Sequence, residues 1–201
     1  MRYLGGSTNH WGGWSRPLDP IDFEKRSWLP YSGWPFGIGE LKPHFKRAQA
    51  LCELGSWVYD GAAGAAAELA PPMKLADGGV YTSWFQFSKT RDGILPTHFG
   101  ERYGEDLKRI PNLKVFLHAN ATALNLTANA AALDGFDVAT LGGGHRFKVR
   151  PKVTVLALGA IENARLMLAS NAVAAAGVGN QHDLVGRFFA DHPIPRDPRP
   201  S

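Results

Sequence analysis

Two segments of the chain repeat apolar residues at helical spacing. The first is predicted from about Glu40 to Leu54, with Gly55 as its stop and an apolar face of Leu41, Phe45, Ala48 and Cys52. The second is predicted from about Phe99 to Ile110 and ends at Pro111-Asn112. Both helices have one apolar face, so each is expected to pack on a neighbouring element.

Shorter apolar runs predict strands. The pattern indicates strands at Tyr81–Phe87, Lys114–Leu117 and Ala121–Leu126. Phe136–Thr140 and Arg146–Val149, joined through Gly142-Gly143-Gly144, are typical of a hairpin.

The run Val153–Leu158 is apolar at almost every position. Such a run is typical of a strand buried on both faces of a parallel or mixed sheet. Gly159-Ala160 then predicts a turn into a helix from about Ile161 to Ser170. A buried strand, a small-residue turn and a helix N-terminus is an arrangement in which α/β proteins bind ligands, phosphate above all.

Two further segments are less regular. Gly61–Ala70 is rich in alanine and glycine and is predicted as a short helix or a mobile loop. The proline- and arginine-rich tail Pro193–Ser201 is predicted to be disordered.

Composition narrows the possible functions. The 201 residues suffice for one large or two small domains, and 44% hydrophobic and 20% charged residues are ordinary for a soluble protein. The net charge of +4 is spread along the chain, so a nucleic-acid partner is not expected. With one cysteine and no apolar run of ~20 residues, neither an internal disulfide nor a membrane span is expected. We expect a soluble protein of a bacterial-type cytoplasm or periplasm.

The densest cluster of functional residue types is Gly5-Gly6-Ser7-Thr8-Asn9-His10-Trp11-Gly12-Gly13. Glycines without Cβ atoms allow the backbone to approach a ligand closely, and turned amides can form an anion-binding nest. The indole and imidazole suit a planar, partly apolar ligand. The alternative interpretation is a glycine-rich surface turn with a buried tryptophan.

Two separate signatures resemble the glucose–methanol–choline (GMC) oxidoreductase family. The segment from Gly5 to Pro17 is similar to the family's flavin-facing signature, and Gly159–Ser170 is similar to its second signature. Trp34-Pro35, Glu40–Pro43, Pro111–Val115 and Val185–His192 agree with the same family. The resemblance covers nearly the whole chain up to His192.

The resemblance implies an α/β (mixed α+β) fold holding part of a Rossmann-like FAD-binding domain and part of a substrate-side cap. It assigns residues 1–32 and 96–180 to the FAD-binding domain, 33–95 to the cap, and 181–201 to the start of a substrate domain with the tail. The implied activity is oxidation of the CH–OH group of an alcohol, sugar or polyol by hydride transfer to FAD. The implied cofactor-binding residues are Gly5, Gly6, Ser7, Thr8, Asn9, His10, Trp11, Gly12, Ala121, Gly159 and Ala160.

His10 matches the position that carries a flavin-bonded histidine in some members, and Trp11 resembles the pyranose-oxidase-like version. Imidazole is chemically able to attack an electrophilic flavin methyl carbon. The alternative is a hydrogen-bonding or stacking residue beside a non-covalent flavin. Asn163-Ala164 departs from the second signature, which usually has a hydroxyl residue and a proline there.

Two parts of the family pattern are missing from these residues. The Gly-x-Gly-x-x-Gly fingerprint would precede residue 1, and the catalytic histidine pair would follow the last residue. We therefore predict no catalytic or metal-binding residue, and expect a fragment that binds FAD weakly by itself. The alternative is a non-catalytic remnant or accessory module that needs a complementary chain to bind FAD.

Overall fold

The computed structural model describes residues 3–61, 64, 73, 81–89 and 96–191. The chain divides into two compact units, Met1–Lys114 and Val115–Ser201. The predicted helix or loop at Gly61–Ala70 lies mostly outside the described residues. The predicted disordered tail Pro193–Ser201 lies entirely outside them.

In the first unit, the described residues include two helices with shorter elements between and around them. Helix α1 spans Ile38–Leu51 and helix α2 spans Phe99–Arg109. Strands β1 (Trp14–Ser15) and β2 (Gln86–Phe87) pair antiparallel, so only the last two residues of the predicted strand Tyr81–Phe87 form a ladder. Single 3-10 turns occupy Gly6–Asn9 and Pro20–Phe23.

The sequence predicts both α1 and α2, but α1 ends earlier than predicted. It stops at Leu51 rather than Leu54, because Glu53 has a left-handed φ of 53° that a helix cannot contain. There Glu53 accepts hydrogen bonds from Arg102 of α2 at 2.5 Å and from Thr97 at 2.8 Å. The end of α1 is therefore tied to the start of α2.

In the second unit, the residues described up to Asp191 form a three-stranded antiparallel sheet and one helix. Strands β3 (Ala119–Leu126), β4 (Leu133–Thr140) and β5 (Arg146–Val149) lie in the order β3-β4-β5. The predicted hairpin is confirmed. Helix α3 (Ala160–Ala169) contacts β3, and its Leu166 is fully buried.

The prediction for Val153–Leu158 is wrong. These residues form no strand, and Val153 and Val155 are 79% and 81% exposed. A strand needs a neighbour for its amides and carbonyls. Here the side chain of Asn163 accepts from the Leu158 amide at 3.0 Å and donates to the Leu156 carbonyl at 3.3 Å.

The fold class is mixed α+β. Both sheets of the described residues are antiparallel, so the parallel sheet expected from the Val153–Leu158 run is not seen there. The predicted strand Lys114–Leu117 is also wrong: it pairs with no described strand, and its apolar side chains are exposed. Within the described residues no helix has the length and apolar character to cross a membrane.

Candidate functional site

The glycine cluster is a tight loop that bonds to itself. Gly5 and Gly6 have φ of 94° and 54°, and they lead into the 3-10 turn Gly6–Asn9. The amides of Gly6, Thr8 and His10 donate to carbonyls three residues earlier, at 3.0–3.2 Å. These amides are therefore used inside the loop and do not form the expected anion nest.

Two polar side chains of the loop are also used internally. The Thr8 hydroxyl donates to the Gly5 carbonyl at 2.5 Å and accepts from the Phe99 amide at 3.1 Å, so it caps the first residue of α2. Asn9 donates to the Leu4 carbonyl at 2.8 Å. These contacts fix the shape of the loop and hold it against α2.

Trp11 and Gly5 pack against the start of α2. The Trp11 indole donates to the Thr97 carbonyl at 3.1 Å and meets the Phe99 ring edge-on. A Cβ at Gly5 would lie 2.5 Å from the Gly100 nitrogen. The absence of a side chain at Gly5 is thus explained by packing within the protein, as in the surface-turn interpretation.

The outward side of the loop carries the remaining predicted residues. Gly6, Ser7, His10 and Gly12 are exposed, and a Cβ at Gly6 would meet nothing within 4 Å. The Tyr3 hydroxyl is bonded to His10 Nε2, with the two rings edge-to-face. This side of the loop is open to a ligand.

A cleft of about 420 Å³ lies where the loop meets α2. Its described lining is Tyr3, Leu4, Asn9, His98, Gly100 and Glu101. His98 Nδ1 lies 3.7 Å from a Glu101 carboxylate oxygen, so this wall is polar. Sequence reasoning missed His98, Gly100 and Glu101, because they follow the loop by about ninety residues and share no motif with it.

In the second unit the predicted turn is present and open. Gly159 precedes α3 with φ 85°, is exposed, and offers no side-chain cap to the helix. A Cβ there would meet nothing within 4 Å. Glu162 in the first turn pairs with Arg165 at 3.0 Å, and this raises the pKa of the Arg165 guanidinium.

Ala121 lies on β3, an edge strand of the three-stranded sheet. The ladder to β4 is irregular between Ala121 and Ala123, which locally breaks the pairing of Thr122. The middle of β3 contacts the other end of α3, where the Leu124 amide donates to the Ser170 hydroxyl at 2.8 Å. Because α3 rises about 15 Å over its length, this contact and Gly159 mark opposite ends of the helix.

The predicted cofactor residues thus fall into two groups. The first unit holds one loop with Gly5, Gly6, Ser7, Thr8, Asn9, His10, Trp11 and Gly12. The second unit holds Ala121, Gly159 and Ala160. Their meeting around one flavin stays a prediction, and no metal-binding cluster occurs among the residues that the structure describes.

The two glycine signatures of the sequence are both turns in the structure. Each signature forms a turn with glycines at left-handed φ, at Gly5-Gly6 and at Gly159. Comparisons with known protein families, with curated protein sequences and with solved structures found no match to this chain.

Proposed function

We propose that this chain supplies FAD-binding turns of an oxidoreductase that oxidises the CH–OH group of an alcohol, sugar or polyol. The observation that carries the proposal is the Gly159-Ala160 turn, where exposed backbone opens a ten-residue helix that has no side-chain cap. The amides of such a helix start favour a phosphate. Together with the resemblance of both glycine signatures to GMC oxidoreductases, this supports a dinucleotide ligand.

The residues present fit parts of an FAD molecule. Positive φ and open space at Gly6 and Gly159 leave backbone that a ligand can approach without meeting a side chain. Ser7 and His10 offer polar contacts on the exposed side of the loop, and Thr8 and Asn9 hold that loop in shape. When bound, the flavin supplies the acceptor for a hydride from the carbon that bears the hydroxyl.

Residue-resolved NMR of the labelled chain tests the proposal. FAD is expected to shift the amide signals of Gly159 and Ala160 together with those of Gly6, Ser7 and His10. ADP, which lacks the flavin, is expected to shift only the signals of Gly159 and Ala160. Binding is expected to be weak, so that flavin is lost on gel filtration. The proposal is contradicted if the Gly159 and Ala160 signals stay unchanged at the highest soluble concentration of FAD.

One observation favours a second candidate, an accessory module completed by another chain. The apolar side chains of Val153 and Val155 are almost fully exposed, as in a strand that lacks its neighbour. Co-purification with a polypeptide that carries a Gly-x-Gly-x-x-Gly segment, with FAD bound only by the pair, supports this candidate. Tight stoichiometric FAD binding by this chain alone excludes it.

A further inference from the structure

Strand β5 is an open edge of the three-stranded sheet. The order β3-β4-β5 leaves its outer side unpaired among the described residues. At the hairpin end the Thr140 amide donates to the His145 carbonyl at 3.0 Å, and hydrogen-bonded pairs alternate with non-bonded pairs along an antiparallel ladder. The next bonded residue of β5 is therefore Phe147, and the main-chain groups of Arg146 and Lys148 point away from β4. Within the described chain no hydrogen bond reaches these outward groups.

The residues with outward main-chain groups also carry positive charge. Arg146 and Lys148 are exposed and share one face of the sheet, and Arg150 continues the alternation. Asp137 lies 4.0 Å from Lys148, and Asp134 lies 3.5 Å from Arg150. Among the described residues, no acid lies within ion-pair distance of Arg146. The edge thus presents unpaired main-chain donors and acceptors beside a row of basic side chains.

The opposite face beside β5 is apolar. Phe147 lies across from Val138, which is 7% exposed. The Phe116 ring lies 5.8 Å from the Phe147 ring, and the two side chains are 65% and 37% exposed. A strand placed along β5 would therefore meet basic side chains on one face and apolar rings on the other.

These features distinguish between possible occupants of the edge. Antiparallel pairing of two copies of β5, centred on Phe147, would place Arg146 directly opposite Lys148. Like charges in directly opposite positions are destabilising, and basic residues on edge strands keep identical chains apart. Acidic residues at the same positions would form opposite-charge pairs instead. The charge of the edge therefore selects against a second copy and in favour of an acidic strand.

We propose that β5 binds an extended acidic segment of a partner protein as a fourth antiparallel strand. In this segment acidic residues alternate with apolar residues, so that the acids face Arg146 and Lys148 and the apolar side chains lie beside Phe147. Main-chain hydrogen bonds supply the affinity of such strand addition, and the alternating side chains supply its specificity. The inference is separate from the proposed flavin function, because β5 contains none of the predicted cofactor residues.

A fluorescein-labelled heptapeptide in which glutamate and valine alternate tests the binding of such a strand to the full chain. Its fluorescence anisotropy is expected to rise saturably. A peptide with lysine in place of glutamate, and a peptide with methylated glutamate nitrogens, should each bind at least about tenfold more weakly. The second keeps every charge but lacks the main-chain donors. The parent peptide should also slow amide hydrogen exchange at Arg146 and Lys148 more than at Phe147, whose amide already bonds to β4.

Charge reversal in Arg146→Glu/Lys148→Glu should exchange the preference, so that the lysine peptide binds better than the glutamate peptide. Lys46→Glu/Arg47→Glu is the matched control, because it changes the net charge equally at exposed positions of α1. Circular dichroism checks that both variants fold.

The inference is overturned by a missing saturable rise, by equal binding of the methylated peptide, or by an equal loss in the control variant. Unchanged exchange at Arg146 and Lys148 overturns it as well, and that measurement needs no variant.

Discussion

At the scale of single residues, Gly5 and Gly6 have different reasons to be glycine. Gly5 combines a left-handed φ with contact to the Gly100 backbone, whereas Gly6 has the left-handed φ and open space. One alanine substitution at each position therefore separates the cost of backbone strain from the cost of a clash with α2.

Gly5→Ala is expected to destabilise the chain by about 3 kcal/mol, because backbone strain adds to a clash with the backbone of α2. Gly6→Ala is the control and should cost about 1 kcal/mol, from strain alone. Urea unfolding of both variants measures the difference. Equal losses at the two positions would show that the loop does not pack on α2 as described.

The Thr8 hydroxyl accepts a hydrogen bond from the first residue of α2, although the two residues are 91 positions apart. Thr8→Val keeps the shape of the side chain but leaves the Phe99 amide without its partner, while the Gly5 carbonyl keeps only its hydrogen bond from the Thr8 amide. We expect a loss of about 1–2 kcal/mol in the free energy of unfolding. Ser7→Ala, one residue away on the exposed side, should change it by less than about 0.5 kcal/mol.

At the scale of elements, Asn163 takes the place of a strand. Its amide bonds the carbonyl of Leu156 and the amide of Leu158, the two groups that one residue of a parallel neighbour would bond around Ala157. The side chain thus links α3 to the segment that precedes it.

Asn163→Ala is expected to cost about 1–2 kcal/mol, because both main-chain groups lose their partner. Asn163→Asp keeps an acceptor for Leu158 and should lose less. The Leu158 amide reports the contact directly, since its hydrogen exchange should accelerate in Asn163→Ala more than in Asn163→Asp. Unchanged exchange in both variants would contradict this role of Asn163.

The junction of α1 and α2 predicts sensitivity to alkali. Burial raises the pKa of the Cys52 thiol, and burial raises the pKa values of the Tyr59 and Tyr103 hydroxyls, aided by nearby negative charge. The folded chain therefore keeps protons that the unfolded chain releases. Their stabilising contribution is present below the unfolded pKa of each group and is lost as pH rises through the folded value.

The free energy of unfolding should accordingly fall as pH rises above about 8.5, the ordinary range of a thiol. Cys52→Ala should flatten the first part of this fall, and iodoacetamide should alkylate Cys52 more slowly in the folded chain than in urea. Stability that rises over this range would contradict the burial of Tyr59 and the partial burial of Cys52 and Tyr103.

Local patterns explain which elements were predictable. α2 and α3 lie within one residue of the predicted helices, because their apolar spacing lies within each helix and their end signals lie within a few residues of it. The β4–β5 hairpin was predictable from its glycine turn, where Gly142 and Gly143 have φ of 87° and 74°. Each of these sequence patterns spans no more than about fifteen consecutive residues.

Contacts between distant residues explain the rest. The Thr8–Phe99 hydrogen bond joins residues 91 positions apart, and no periodicity in the sequence reports it. The two glycine segments are turns, as the sequence indicates, but the sequence does not show that Thr8, Asn9 and Trp11 use their polar groups within the protein. Val153–Leu158 was misassigned because its composition indicates a buried strand, and composition does not say whether a neighbouring strand is present.

At the scale of the whole molecule, the exposed valines of the run Val153–Leu158 favour self-association of the chain. Val153 and Val155 are 79% and 81% exposed, and exposed apolar side chains of this kind associate with other chains. The chain is therefore expected to self-associate as its concentration rises, unless a partner covers this run.

Replacing both residues in Val153→Lys/Val155→Lys should raise the monomer fraction measured by light scattering after gel filtration. Because both side chains are exposed, the free energy of unfolding should change by less than about 0.5 kcal/mol. Leu166→Ala gives the contrast, since Leu166 is fully buried in the same unit and its truncation should cost about 2–5 kcal/mol. If the double lysine variant instead unfolds, the run is buried in solution, and a strand pairing of Val153–Leu158 accounts for the molecule better than the open segment.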